Sequence, residues 1–427
     1  MGNMTAVQPK GNAFAMNPSD DLNDLRMSES AQPLYEHVKR FVRDVVDPMS
    51  VKFHKLGEGR ADRWSYAPGQ LDVLEEAKNQ AKKEGLWNFF LPDAETGEGL
   101  KNLDYAYIAA ELGKNRLASQ TMNCSAPDTG NMEVLERVGT PEQKERWLKP
   151  LLSGEIRSAY AMTEPDRASS DAKNIGMRAH KEGKEWVLNG EKYYISGAGD
   201  PRCKIMITMV KTDPDAPPHK QQSQILVPIE TPGVTILGPM CVFGHDDAPH
   251  GHMHMRFTDV RVPKENIIAG EGRGFEVAQG RLGPGRIHHC MRAVGQAEKA
   301  LELLCRRGMS RTAFGKPLVK LGANYDIIAK ARMDIEMARL LCLKAAWMMD
   351  HVGVQEAQPW ISMIKTVAPN MALSVIDEAM QMHGGVGVSQ DTPLAALYAA
   401  VRTLRFADGP DAVHRMVVAR NELKRYI

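Results

Sequence analysis

Apolar residues in this chain change their spacing twice, and no other property of the sequence narrows the possible folds as much. From about Ala31 to Ile156 they recur every three to four positions. Leu71, Leu74, Ala77 and Ala81 are an example, and that spacing predicts one apolar face on a helix. Thr140-Pro141-Glu142-Gln143 reads as a helix start: Thr140 can cap, Pro141 fits the first turn, and Gln143 holds the capping-box position. Near residue 157 the texture becomes two-residue alternation, as in Trp186-Val187-Leu188, Lys204-Ile205-Met206-Ile207 and Gln224-Ile225-Leu226-Val227. Turn signals at Asn189-Gly190, Gly197-Ala198-Gly199-Asp200 and Pro232-Gly233 divide these segments, which predicts an antiparallel β-domain ending near Pro263. After Gly274 the helical spacing returns, in Ile328, Ala331, Ile335 and Ala338 and again in Ile361, Ile364, Ala368, Met371 and Val375. Long amphipathic helices with short connections predict a bundle.

The order is thus helical, β, helical: an α+β multidomain chain. The expected domains are a loose extension over 1–30, a helical domain over 31–157, a β-domain over 158–268 and a helical bundle over 269–427. Strands and helices do not alternate, which excludes a dinucleotide fold of the βαβ kind. Gly270-Glu271-Gly272-Arg273-Gly274 resembles a phosphate loop, but it follows an antiparallel domain and so reads as a β-to-helix connection.

With 54 Lys+Arg against 53 Asp+Glu, the charge balance gives no reason to expect nucleic acid or an anionic membrane as partner. No apolar run approaches the ~20 residues of a membrane-spanning helix, so no integral membrane segment is expected. The start lacks the basic-then-apolar order of a secretion signal, and Ala6 stands where myristoylation needs Ser or Thr. The six cysteines are scattered without C-x-x-C spacing and read as reduced thiols. A cytoplasmic, bacterial-type soluble protein is the expectation.

Three segments carry candidate chemistry. Met162 to Asp171 is a polar, Pro-interrupted loop entering the β-domain, able to grip the edge of a heterocycle or to serve as an ordinary hydroxyl-rich turn. Tyr193-Tyr194-Ile195-Ser196 ends a strand in aromatics and a hydroxyl, suited to lying against a flat cofactor or to a core strand end. Gln381-Met382-His383-Gly384-Gly385 and Phe406-Ala407-Asp408-Gly409-Pro410 combine glycines, which let a backbone approach a ligand, with a carboxylate among small residues. Asp408 is either a general base or a helix cap.

Taken together, these motifs resemble the acyl-CoA dehydrogenase family over roughly residues 35–425, and within it the branch of acyl-CoA dehydrogenase family members ten and eleven. Stretches that carry the closer likeness are Ala126 to Met132, Arg281 to His289 and Ala407 to Asp411. The resemblance implies a helical N-terminal domain, an antiparallel β middle domain and a C-terminal four-helix bundle. It implies FAD as cofactor. Met162, Thr163 and Ser169 would hold the flavin pyrimidine edge, with Ser169 also on the CoA side. Tyr194 would shield the flavin, and Ser196 would lie beside N5. Arg311 and Phe314 would reach the pyrophosphate of a neighbouring subunit's FAD. Gln381, Gly384 and Gly385 would form the other pyrophosphate loop, and Pro410 would lie near the adenosine end. Arg286 and Gly409 would serve the acyl-CoA substrate, and no metal is implied. Asp408 falls in the position of the family's catalytic Glu, and Asp also occupies that position in the branch named above.

The implied reaction is α,β-dehydrogenation of an acyl-CoA to a trans-2-enoyl-CoA. Asp408 removes the α-proton, hydride goes to flavin N5, and electrons pass to an electron-transfer flavoprotein. Asp reaches roughly 1.5 Å less far than Glu, about one C–C bond, so geometry matters more here than intrinsic basicity. A cofactor completed by a neighbour implies a homo-oligomer, dimer or tetramer. Alternatives are an acyl-CoA oxidase that uses O2 on the same scaffold, and a non-catalytic flavin- or acyl-CoA-binding homologue. Among remaining features, His245, Asp246, Asp247, His250, His252 and His254 look most like a metal cluster. They lack zinc-module spacings, and alternation would put His252 and His254 on one strand face opposite Met253, Met255 and Phe257. His288 and His289 read as substrate-reaching or as interior histidines. Asn123, Asp128, Thr129 and Asn131 are a polar stretch where a fatty-acyl pocket would be apolar, which raises an oxygenated acyl chain against a plain surface loop.

Overall fold

The computed structural model describes residues 23–93 and 96–426, so most of the expected N-terminal extension lies outside the described residues. Two compact units emerge. One comprises residues up to Tyr35, Lys101–Lys114 and Arg286–Ile427; the other comprises Glu36–Leu100 and Asn115–Gly285.

The second unit is built on one sheet with strands β1 (Arg157–Ala161), β2 (Arg178–Glu182), β3 (Glu185–Ser196), β4 (Cys203–Lys211), β5 (Gln222–Pro228), β6 (Val234–Pro239), β7 (His252–Pro263) and β8 (Ile267–Ile268). The order is β6-β7-β3-β2-β4-β5-β8, with β1 pairing on β4. Pairing is antiparallel throughout except that β1 runs parallel to β4, as does a single β2–β4 contact. A parallel pair needs a long crossover. Here the Met162–Asp171 loop and the β2–β3 hairpin supply it, which is why that polar loop leaves the sheet where it does.

Alternation holds in β7, where Met253, Met255 and Phe257 are buried in the sheet core. It fails in β4 and β5: Ile205, Met206 and Ile207, like Gln224 to Val227, are buried at every position, because both faces of those strands are covered. The Asn189-Gly190 turn is not found. Both residues lie within β3, where the register to β7 shifts between Leu188 and Gly190. Gly190 sits at φ +149°, and a Cβ there would meet Met177 Cγ at 2.8 Å, so the dipeptide marks a bulge crowded from one side. The Gly197–Asp200 and Pro232-Gly233 turns are present.

In the same unit Leu74, Ala77 and Ala81 of the helix Gln70–Lys83 are buried. The capping box forms as expected, with Gln143 N donating to Thr140 Oγ1 and Thr140 N to Gln143 Oε1, both at 3.2 Å. Gln143 Nε2 then ties this helix start to the backbone oxygens of Glu265 (2.8 Å) and Ile267 (3.0 Å). Gly270–Gly274 connects β8 to a helix, and Gly272 N donates to Ser223 Oγ at 3.0 Å.

The first unit is helical. It contains Asn102–Gly113, the part of Gly274–Ser310 from Arg286 on, Asn324–Val352, Val354–His383, Leu394–Thr403 and Asp411–Leu423. Ile361, Ile364, Ala368, Met371 and Val375 are all buried, as are Ala331, Ile335 and Ala338. Fully burying one such Ile is worth roughly 2 kcal/mol. The Asp350 carboxylate accepts from Asn102 N and Leu103 N at 2.9 Å, satisfying the N-terminus of Asn102–Gly113. Two glycines then let that helix touch its neighbour backbone to backbone: a Cβ on Gly113 would lie 2.2 Å from Arg292 O, and one on Gly295 would lie 1.8 Å from Ala110 O. This close approach fixes the helix that bears Arg286, His288 and His289. No helix among the described residues is long and apolar enough to cross a membrane.

Candidate functional site

Within the sheet unit, the Met162–Asp171 loop is held by a buried ion pair that no local motif announces. Glu164 accepts from Gly176 N (2.7 Å), Met177 N (2.8 Å) and Lys192 Nζ (2.8 Å), and Lys192 Nζ also donates to Met162 O at 2.9 Å. Burial pushes the fully buried Lys192 ammonium down to about 8, against the pull of Glu164. Burial works to raise the Glu164 carboxyl, yet Lys192 and the backbone N–H groups hold it below its ordinary value. Ser169 Oγ accepts from Glu164 N at 2.9 Å, and Thr163 O accepts from Tyr193 N at 3.0 Å. Met162 packs on Ala172, Ile175 and Met209.

Beside this loop β3 bulges again, the register to β7 shifting between Lys192 and Ile195. Tyr194 adopts φ +55°, a left-handed backbone rare outside glycine, and keeps 45% of its surface exposed. Ser196 closes the strand, and its Oγ lies 2.8 Å from His252 Nδ1. The loop is tied to β3 through Lys192 and Tyr193, the strand that also carries Tyr194 and Ser196.

In the helical unit, Asp408 lies in the turn between Leu394–Thr403 and Asp411–Leu423, at φ +57°. Two side chains grip its backbone carbonyl: Arg286 Nε donates at 3.0 Å and His414 Nε2 at 3.2 Å. Since His414 Nε2 donates, Nδ1 is left to accept from Ser362 Oγ at 3.3 Å. Burial, aided by the Arg286 and Lys365 charges, pushes His414 down to about 4, so it is neutral at pH 7. Lys365 donates to Leu404 O within the same turn, and burial lowers its ammonium too. Arg286 is lowered by burial and raised again by Asp408. The Asp408 carboxylate is 19% exposed, with Oδ2 3.6 Å from His289 Nε2. His288 is interior, edge-on to Tyr105 at 4.4 Å, and burial holds it well below its ordinary value. Gly409 follows at φ +106°, and Pro410 precedes the last helix.

Arg311 and Phe314 stand on a two-stranded hairpin, Thr312–Ala313 with Lys316–Pro317, and Phe314 is 95% exposed. Gln381 ends Val354–His383, and Gly384 and Gly385 follow with open space where a Cβ would sit. A Cβ on Gly308 would lie 3.3 Å from Met382 Sδ, so the base of the hairpin lies near Gln381.

Other polar groups are engaged inside the protein. Asp128 accepts from Arg157 Nε (2.8 Å), Ser158 N and Ser158 Oγ (both 2.7 Å). Asn131 Nδ2 donates to Ser158 Oγ at 2.9 Å and to Ala159 O, and Asn123 Nδ2 donates to Asn88 Oδ1 at 2.7 Å. Asp128, Thr129 and Asn131 are buried on the helix Asp128–Val138 and not on a surface loop, and Asp128 and Asn131 fasten that helix to β1. The histidine cluster is likewise divided among partners: His245 accepts from Asp247 N, Asp246 pairs with Arg63, and His254 pairs with Glu191. Among the described residues no group of three or more His, Cys, Asp or Glu could hold a metal.

The chain matches "Acyl-CoA dehydrogenase, N-terminal domain" over residues 28–155, "Acyl-CoA dehydrogenase, middle domain" over 159–260 and "Acyl-CoA dehydrogenase, C-terminal domain" over 272–423. It is 53% identical to acyl-CoA dehydrogenase family member 10 of Mus musculus, across 93% of this chain but only 37% of that longer relative. It is 52% identical to Probable acyl-CoA dehydrogenase FadE2 of Mycobacterium tuberculosis, across 87% of this chain and 92% of the relative. The chain spans about half the length of other curated relatives it matches. A solved Mycobacterium abscessus structure, assigned to the acyl-CoA dehydrogenases, superposes with a TM-score of 0.90 at 50% identity, covering 94% of this chain and all of that one. With three domain matches in their family order and relatives of this similarity, the chain belongs to the acyl-CoA dehydrogenase family.

Proposed function

We propose that this chain is an FAD-dependent acyl-CoA dehydrogenase in which Asp408 removes the α-proton of an acyl-CoA and the product is a trans-2-enoyl-CoA. The observation that carries the reading is the Asp408 turn: a left-handed aspartate, largely shielded from water, with its carbonyl clamped by Arg286 and His414. A left-handed backbone at a non-glycine residue is uncommon, and such positions cluster at functional sites. An α-proton beside a thioester is acidic enough only if the developing enolate oxygen meets donors, and the Asp408 N–H would be one of them.

The residues present fit a flavin. Tyr194 offers an aromatic surface without full cover beside the Ser196 hydroxyl, and Gly384 and Gly385 leave backbone open to a close-lying group. Met162, Thr163 and Ser169 would hold the pyrimidine edge, Tyr194 and Ser196 the ring, and Pro410 the adenosine side. Arg311, Phe314, Gln381, Gly384 and Gly385 would hold the pyrophosphate, with Ser169, Arg286 and Gly409 on the acyl-CoA. When bound, FAD accepts the hydride equivalent from the substrate β-carbon. The nearly bare Phe314 supports a homo-oligomer, dimer or tetramer, in which that hairpin reaches a neighbour's cofactor. An electron-transfer flavoprotein would be the acceptor.

Anaerobic titration of the FAD-loaded protein with a panel of acyl-CoAs tests this: the yellow colour bleaches with at least one of them. Asp408→Asn keeps FAD and slows bleaching by about 10²–10⁴-fold, the usual contribution of a general base. Normal bleaching in that variant puts the base elsewhere, and a wild-type chain that bleaches with no acyl-CoA ends the reading.

A further inference from the structure

The proposed function leaves His252 unused, although His252 is the direct partner of Ser196. The two face each other across the ladder as register partners of β3 and β7, with Ser196 Oγ 2.8 Å from His252 Nδ1. A hydroxyl carries one proton, so this bond decides which way that proton points. The answer comes from the far side of the ring. His252 Nε2 lies 3.7 Å from Asp247 Oδ2, and Asp247 Oδ1 is anchored 2.7 Å from Arg116 Nη2. A carboxylate on that side favours the proton on Nε2 and leaves Nδ1 as an acceptor. His250 has its ring centroid 5.9 Å away, edge-on, and burial pushes it down to about 4, so it brings no charge near pH 7, while the Arg116 guanidinium that anchors Asp247 also acts to keep His252 neutral. Burial lowers His252 as well, before Asp247 pulls it back.

We propose that His252, backed by Asp247, is a positioning residue that takes the Ser196 proton and so fixes Ser196 as an acceptor toward the cofactor. This rests on the reading that Ser196 lies beside flavin N5. Oxidised flavin has a bare nitrogen there and asks for a donor; reduced flavin carries a proton there and asks for an acceptor. An acceptor Ser196 therefore biases the bound cofactor toward its reduced form, which helps a chain whose task is to take electrons from a thioester.

The measurement is the reduction potential of FAD in the holoenzyme. His252→Phe frees the Ser196 proton for the oxidised ring, and the equilibrium moves toward oxidised flavin by about tenfold, the size of one hydrogen bond. For a two-electron couple that is a fall of about 30 mV. His252→Asn, which keeps an acceptor oxygen in the same place, returns the potential to near wild type. If His252→Phe does not fold, Asp247→Asn takes its place and moves the potential the same way by about threefold, having removed only the tautomer bias. An unchanged or raised potential in the variant measured overturns the inference, and so does the same shift appearing in a Ser196→Ala background. A flavin spectrum and potential indifferent to Ser196→Ala overturn the placement of Ser196 as well. Sensitivity to Ser196→Ala combined with indifference to His252→Phe removes only the inference.

Discussion

The loop after β1 and the turn at Asp408 are both fixed from outside their own segment, yet with opposite electrostatics. The loop is fixed by a buried pair of full charges, Glu164 with Lys192, whose side chains bond to the backbone of Gly176, Met177 and Met162 and to each other. The turn is fixed through its carbonyl, by a neutral His414 and by Arg286, while the carboxylate itself is met by His289 at the longer distance of 3.6 Å. A segment that only has to keep its shape can lock its charges into one geometry. A carboxylate that has to exchange a proton needs its position fixed by other atoms, so the restraint moves to the backbone.

Removing one partner from the buried pair is the harshest test of that contrast. Lys192→Met strands the Glu164 carboxylate and Met162 O, and breaking such a pair costs roughly 3–5 kcal/mol. Urea unfolding at pH 7 is expected to lose that much, with FAD released at far lower denaturant. A variant less than about 1 kcal/mol below wild type would show the loop to be held by its packing on Ile175 and Met209 instead.

Most of the architecture was legible because it follows from periodicity: of the apolar positions spaced three and four apart around Leu74, Ile335 and Ile364, all are buried except Leu71 and Ile328, which lie at the ends of their runs and are half-buried. Alternation likewise placed Met253, Met255 and Phe257 in the core. Local chemistry misled where two readings share one signal. Asn189-Gly190 has turn chemistry, but Met177 crowds that position and the strand runs on through a bulge. The Asn123–Asn131 stretch stood open between a polar pocket and a surface loop because nothing local reveals that Arg157 and Ser158 arrive to bond Asp128 and Asn131. Lys192 sits 28 residues from Glu164 on a strand where a lysine ordinarily points to water, and His414 lies on the polar-looking last helix, so their roles needed the folded chain. The candidate base was visible because Asp408 stands among small residues in a recognisable frame.

Acid is the next probe, because His414 can be silenced without losing its bond. Its folded value of about 4 lies below the roughly 6.5 of an unfolded histidine, so the unfolded chain binds the extra proton first. Stability is therefore full above pH 6.5, falls as pH drops toward 4, and levels off below; the window is worth about 3 kcal/mol for this residue. His250 in the sheet unit, also near 4, loses stability over the same range. His414→Gln keeps an N–H donor and removes the titration, so the slope of urea midpoint against pH between 6.5 and 4.5 is expected to be shallower than in wild type, with the contributions of His250 and His288 left in place. A slope identical to wild type would place the acid sensitivity on the other buried histidines, His250 and His288 among them.

The mildest change is also the one closest to Asp408. A Cβ on Gly409 would meet His414 Nε2 at 2.7 Å, and φ +106° is a backbone that side chains rarely adopt. Gly409→Ala therefore combines local strain of roughly 1–2 kcal/mol with a push on the donor that holds the Asp408 carbonyl. Unfolding measures the first component, and anaerobic bleaching by acyl-CoA measures the second, since on the proposed function Asp408 would move while the residues assigned to FAD would not. The two parts separate when His414→Ala is added. If the clash transmits the effect, the double variant is less damaged than the sum of the singles, because the atom that the introduced methyl would strike has gone. Strict additivity would mean that backbone strain at residue 409 accounts for the whole effect, and that His414 supports Asp408 without setting its position.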